Sequence, residues 1–119
     1  MDTSPLPIPP SFADLFQPEG RGRPLLPWAA IAERHEFCED MAQMLVETAR
    51  DRLFDLGIGE DDVLLRIRQG LLVQGSPVDA GEATWVACRL AELLGWPLPA
   101  SLHDDLPAAT RQRLQRPPS

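Results

Sequence analysis

The positions of proline and glycine constrain the fold of this chain more than any other feature. Seven of the 13 prolines fall within residues 1–27, whereas residues 28–56 contain neither proline nor glycine. Proline fixes φ and removes an amide donor, so the first segment favours extended or polyproline-like backbone. The second segment has no helix breaker, and the proline before it suits a helix start. The sequence therefore predicts a proline-rich arm followed by one long helix.

Apolar residues in the long helix recur at helical spacing, which predicts a buried stripe. The residues in this pattern are Ile31, Phe37, Cys38, Met41, Met44, Leu45, Ala49, Leu53 and Leu56. Gly57 follows the last of them and is typical of the left-handed residue that ends a helix.

Two shorter helices are predicted next. Residues 60–72 begin with three acidic side chains, which suit the positive end of a helix dipole. Residues 77–94 begin after Ser76, which suits an N-cap followed by proline. They end at Gly95, and Trp96 can fold back on the helix as the apolar partner of this cap.

Together these elements predict an all-α fold, a small antiparallel helical bundle of three main helices with an extended proline-rich N-terminal arm. Short glycine-containing connections make consecutive helices neighbours, and each helix has one apolar stripe to bury. No alternating apolar pattern typical of β-strands occurs. The predicted core residues are Met41, Leu45, Leu53, Ile67, Trp85 and Leu90.

Prolines also predict the domain organisation. Ser11 suits the cap of a short helical turn over residues 11–16, and residues 105–115 suit a weak last helix with arginines at its negative end. The expected organisation is an arm with a helical turn (1–27), a helical bundle (28–96) and a proline-containing C-terminal tail (97–119).

The charge composition argues against several classes of partner. The chain has 11 basic and 18 acidic residues, a net charge of −7 with neutral histidines. An acidic surface repels phosphate backbones and anionic lipid headgroups, so we expect neither nucleic-acid nor membrane partners. Every basic residue is arginine, which excludes lysine-dependent phosphate loops and Schiff-base chemistry. The absence of lysine, asparagine and tyrosine also indicates a GC-rich, bacterial genome.

The sequence predicts a cytoplasmic location. The first residues lack the basic and apolar segments of a secretory signal, and no apolar run approaches the roughly 20 residues that span a bilayer. Cys38 and Cys88 lie in separate predicted helices, which is typical of buried thiols in cytosolic proteins.

One cluster has the residue types of a metal site. His35 and Glu39 share a helical face, and Cys38 lies three residues from His35. A zinc protease helix would have a second histidine at position 39, and a bound ion needs three or four converging ligands. We therefore expect no metal or other cofactor, and keep a small metal-dependent enzyme or sensor using these three residues as the alternative.

The arm exposes large apolar groups on a segment that is too short for its own core. Four residues are the candidate partner-binding set: Ile8, Phe12, Leu15 and Phe16. They could fold back onto the bundle, or they could dock into the groove of a partner. The first interpretation is favoured because exposed apolar surface is costly in a monomer.

Four segments resemble a group of short proteins of GC-rich proteobacteria that has no established activity. They are IPPSF (8–12), EFCEDMA (36–42), LFDLG (53–57) and LAELLGW (90–96). Some members have an automatic label of ATPase with chaperone activity. This chain lacks the glycine loop and the lysine that such an activity would need. The resemblance implies a bacterial cytoplasmic origin and no functional residue.

The sequence as a whole predicts a non-catalytic protein–protein interaction or adaptor protein, as a monomer or homodimer. No G-x-S-x-G motif or other catalytic pattern occurs. The acidic helix face over residues 36–47 would complement a basic partner protein.

Overall fold

The computed structural model describes residues 7–115, and this part of the chain folds into helices and connecting turns with no strand. Six helices follow one another: α1 (Pro10–Ala13), α2 (Trp28–Leu56), α3 (Glu60–Leu71), α4 (Ala80–Leu94), α5 (Ala100–Asp104) and α6 (Ala108–Gln115). The three main helices α2, α3 and α4 pack against one another. The prediction of an all-α fold is confirmed. The parts of the predicted arm and tail at residues 1–6 and 116–119 lie outside the described residues.

Both ends of α2 lie where the sequence predicts them. Pro27 is the N-cap, and Gly57 ends the helix with a φ of 63°, a left-handed conformation that glycine adopts without a steric cost. Only part of the predicted stripe is buried, because Phe37 and Met44 are 39% and 78% exposed. With about 3.6 residues per turn, Phe37 and Met44 lie roughly 130–150° around the helix from the centre of the buried face, so they stay exposed. The buried residues of α2 are Ile31, His35, Cys38, Ala42 and Ala49.

The predicted start of α4 at residue 77 is wrong. Asp79 is the N-cap, because its carboxylate accepts a hydrogen bond from the Glu82 N–H at 2.8 Å. The Glu82 carboxylate in turn accepts from the Asp79 N–H at 3.1 Å, which completes a capping box. Ser76 instead accepts from the Val78 N–H at 3.3 Å and shapes the turn before the helix. Serine and aspartate both suit an N-cap, and the glutamate three residues after Asp79 decides between them.

The core prediction is right in part. Ile67, Trp85 and Leu90 are buried, whereas the remaining three predicted core residues are only partly buried against the edges of the core: Met41, Leu45 and Leu53. Phe12 and Leu102 are fully buried although they lie outside the three main helices. Residues that flank the bundle in sequence therefore contribute directly to its core.

Two bidentate ion pairs join α2 to α4. Arg34 donates to the two carboxylate oxygens of Glu82 at 2.7 and 2.8 Å, and Arg89 donates to those of Glu39 at 2.8 and 3.2 Å. The Glu82 and Glu39 side chains are only 5% and 14% exposed. Hydrogen bonding from Arg89 lowers the pKa of Glu39. Bidentate geometry is specific in orientation, so these pairs hold α2 and α4 in register.

Residues near both ends of the described chain pack together on the bundle. Ser11 does not cap α1; its hydroxyl accepts a hydrogen bond from the indole N–H of Trp85 at 3.0 Å. The Asp14 carboxylate is buried and accepts from the Thr110 hydroxyl at 2.6 Å and from Arg113 at 2.7 Å. These bonds attach α6 to the segment that follows α1. Arg113 is one of the arginines that the sequence places near the negative end of the last helix, and it pairs with Asp14 instead.

Candidate functional site

The arm places Phe12 among three other aromatic rings. The ring centroid of Phe12 lies 5.1 Å from that of Trp85, 5.4 Å from that of His35 and 5.6 Å from that of Phe16. The Phe12 and Trp85 rings meet edge to face, an arrangement that aromatic pairs favour. α1, α2 and α4 each supply at least one ring to this cluster, so it joins the arm to the bundle.

The candidate partner-binding residues face the body of the protein. Phe12 and Phe16 are 0% and 8% exposed, and Ile8 and Leu15 pack partly buried against the same apolar cluster. Leu15 lies against Gly81, where a Cβ would approach its Cδ2 to 3.2 Å. In the structure these four side chains therefore fold back onto the bundle, and docking on a partner would require the segment to detach.

The three residues of the alternative metal site do not converge. Cys38 is fully buried in the core, and burial raises the pKa of its thiol to about 12. Glu39 accepts hydrogen bonds from Arg89 and from the Gln43 amide. Within residues 7–115 no three His, Cys, Asp or Glu side chains are grouped as metal ligands.

His35 is the buried polar group without a partner in this region. Its side chain lies in the aromatic cluster, the residue is 4% exposed, and Nδ1 is enclosed with no hydrogen-bond partner among the described residues. Burial lowers the pKa of His35, and this effect is larger than the increase caused by the nearby charges of Glu39 and Glu36. The imidazole is therefore neutral at neutral pH.

The His35 ring also lines a cleft of about 430 Å³, called here the polar cleft. The arm forms one wall, and side chains of α2 and α4 form the others. Its lining residues are Pro7, Pro9, Ser11, His35, Glu39, Trp85, Arg89 and Glu92.

A second cavity of about 150 Å³, called here the apolar groove, adjoins the polar cleft. The two share four lining residues: Ser11, Trp85, Arg89 and Glu92. Its further lining residues come from the second half of α4 and from the segment that includes α5 and α6: Cys88, Ala91, Trp96, Leu98, Leu106, Thr110 and Leu114. The two cavities together form one surface, and the polar cleft differs from the apolar groove in having His35 and Glu39 in its lining.

Sequence reasoning missed this surface. Residues from the arm, α2, α4 and the C-terminal segment meet there, and no local pattern pairs segments so far apart. One signal was available, because Trp96 was expected to fold back beside the Gly95 cap. The structure has that cap: Gly95 has a φ of 72°, and the Trp96 N–H donates to the Ala91 carbonyl at 2.9 Å. The fold-back places the Trp96 side chain in the wall of the apolar groove.

Comparison with family models, curated proteins and solved structures finds no match to this chain. The resemblance to proteobacterial proteins stays a prediction. Among the described residues, no helix has the length and apolar character needed to cross a membrane.

The buried His35 predicts that stability depends on pH. Its folded-state pKa lies below the ordinary value of 6.5, so the unfolded chain binds the proton more readily. The free energy of unfolding should therefore be highest above that value and fall as pH decreases toward the folded-state pKa. Urea titrations between neutral pH and about pH 5 would measure this slope, above the range in which carboxylates ordinarily titrate. His35→Phe should flatten it, and an unchanged slope in that variant would contradict the assignment.

Proposed function

We propose that this chain is a non-catalytic protein–protein interaction or adaptor protein that binds a segment of a partner protein in the apolar groove. The observation that supports this most directly is the composition of the groove wall. Trp85, Trp96 and three leucines line it, with Arg89 and Glu92 where it meets the polar cleft. Aromatic anchors bordered by polar groups are typical of the energetically dominant part of protein interfaces.

The groove suits a peptide side chain better than a reacting substrate. Its lining groups are mainly apolar, and burial raises the pKa of the lining thiol, Cys88, to about 12. A protonated thiol is a poor nucleophile. The arm residues, the earlier candidates for partner binding, already cover the core, so we place the contact at the groove beside them.

The remaining parts of the proposal concern the order of the helices, the cellular location and the oligomeric state. We propose an antiparallel order of the main helices, supported by the short connection between α2 and α3. The ion pairs Arg34–Glu82 and Glu39–Arg89 advance in the same direction along α2 and α4, which suits an up-down-up bundle. We also propose that residues 1–27 form an arm, that the protein is located in the cytoplasm of a bacterium, and that it is a monomer or a homodimer. Sedimentation velocity would determine the oligomeric state.

A display library of random peptides tests the groove. Wild-type protein should enrich a common sequence motif, and its affinity should fall at least about tenfold in Leu98→Glu and Leu114→Glu, because the apolar contact would then bury a charge. Both leucines are partly exposed, at 37% and 56%, so the substitutions should preserve the fold. Phe54→Glu is the matched control, since Phe54 is 88% exposed and lies on α2 outside the groove. The proposal would be refuted if the library yielded no common motif, or if Phe54→Glu lowered the peptide affinity as much as the two leucine variants.

The competing proposal is a small metal-dependent enzyme or sensor using His35, Cys38 and Glu39. Its one favourable observation is the unpartnered His35 Nδ1. Elemental analysis of the purified protein separates the two functions, because stoichiometric zinc or iron would support the metal-dependent one.

A further inference from the structure

The polar cleft is lined by more acidic side chains than basic ones. Glu39 and Glu92 line it, and exposed Glu36 and Asp40 adjoin its α2 wall in sequence. Neither Glu36 nor Asp40 takes part in an ion pair within residues 7–115. Arg89 is the one cation in the lining. Two carboxylates line the cleft beside one guanidinium, and two more lie next to its α2 wall in sequence, so the region has a negative potential that favours a cationic ligand.

Arg89 is not available to bind an anion. Its Nε and Nη2 donate to Glu39 at 2.8 and 3.2 Å, and its Nη1 donates to Glu92 at 3.0 Å. Each guanidinium nitrogen is therefore already engaged with a carboxylate. An anionic ligand would have to break these ion pairs and would meet the remaining acidic side chains.

His35 provides a second and independent indication of a ligand. Its side chain is almost fully buried, lines the cleft, and makes no side-chain hydrogen bond to the described residues. A neutral imidazole has one nitrogen acceptor. Buried polar groups are usually hydrogen-bonded, and the ring lines the cleft, so the cleft is the side from which a donor could approach the imidazole.

We propose that the polar cleft binds the guanidinium or ammonium group of an arginine or lysine side chain from the partner segment. The donor-rich cation would contact Glu92 and the unpartnered His35 ring, and its alkyl stem would lie along the Trp85 edge and the prolines of the arm. An apolar residue of the same segment would enter the apolar groove, since the two cavities share Ser11, Trp85, Arg89 and Glu92. This inference rests on the proposed function and specifies the chemistry of its partner.

Nuclear magnetic resonance titration of the full chain tests the cation site with n-butylguanidinium, which has the functional end of an arginine side chain. It should shift the indole N–H of Trp85 and the ring protons of His35 in a saturable way. The neutral analogue n-butylurea should not shift them. Glu92→Gln should weaken the response about two- to fivefold, the range expected for loss of one exposed charge contact. Asp61→Asn, the same charge change on the exposed start of α3, should leave the response unchanged.

Three results would overturn the inference: equal shifts with both ligands, no shift at Trp85 and His35, or equal weakening in Glu92→Gln and Asp61→Asn. The titration probes the polar cleft and does not require binding in the apolar groove, so its failure is distinguishable from failure of the proposed function. If peptides bind in a Leu98-dependent manner but butylguanidinium does not bind the cleft, the groove is a partner site without a basic-residue site.

Discussion

Replacing Phe12 with alanine is expected to lower the free energy of unfolding by about 3–5 kcal/mol, the usual cost of truncating a buried phenylalanine. The Phe12 side chain is 0% exposed and contacts rings from the arm, α2 and α4. The variant would lose this buried area and leave a cavity between the arm and the bundle. Urea denaturation followed by far-ultraviolet circular dichroism would measure the change.

Phe54→Ala is the matched control for Phe12→Ala. Phe54 is 88% exposed, and substitutions at exposed positions usually change stability by no more than about 0.5 kcal/mol. If Phe12→Ala is as mild as Phe54→Ala, the arm does not pack on the bundle in solution. The arm residues would then again be candidates for binding a partner.

Leu90→Ala is expected to cost about 2–5 kcal/mol, and Leu45→Ala clearly less. Leu90 is fully buried in an apolar cluster with residues of α2, α3 and α5, whereas Leu45 is only partly buried against the edge of the core. The cost of a leucine truncation grows with the cavity that it leaves, and a partly exposed site leaves less of one. The same denaturation measurement compares the two variants. Equal costs would mean that the side of α2 that faces the core is misassigned.

The arm therefore contributes both to the core and to the lining of the proposed site. Its apolar residues complete the core, and Pro7, Pro9 and Ser11 form a wall of the polar cleft. Substitutions in the arm that unfold the protein would also remove the proposed site. Leu98, Leu114 and Glu92 are better positions for functional tests, because their side chains line the two cavities and remain partly exposed.

The sequence by itself determined the helices that have strong local signals. Gly57 and Gly95 end α2 and α4 in left-handed conformations as predicted, because the backbone preference of a residue depends on its own side chain and its nearest neighbours. The long segment without proline or glycine formed one helix for the same reason. Ser76 and Asp79 show the limit of such rules, since both suit an N-cap and only the reciprocal bond with Glu82 selects one.

Only the tertiary structure decided which partners the side chains find. Asp14 meets Thr110 across 96 residues of sequence, and Arg89 meets Glu39 across 50. The apolar stripe of α2 was wider than the line along which helices can pack, so the sequence could not tell that Ala42 is buried and Met44 exposed. The two cavities arise where four separate segments meet. Their position depends on the packing of the whole chain, because no local backbone rule relates residues that are distant in sequence.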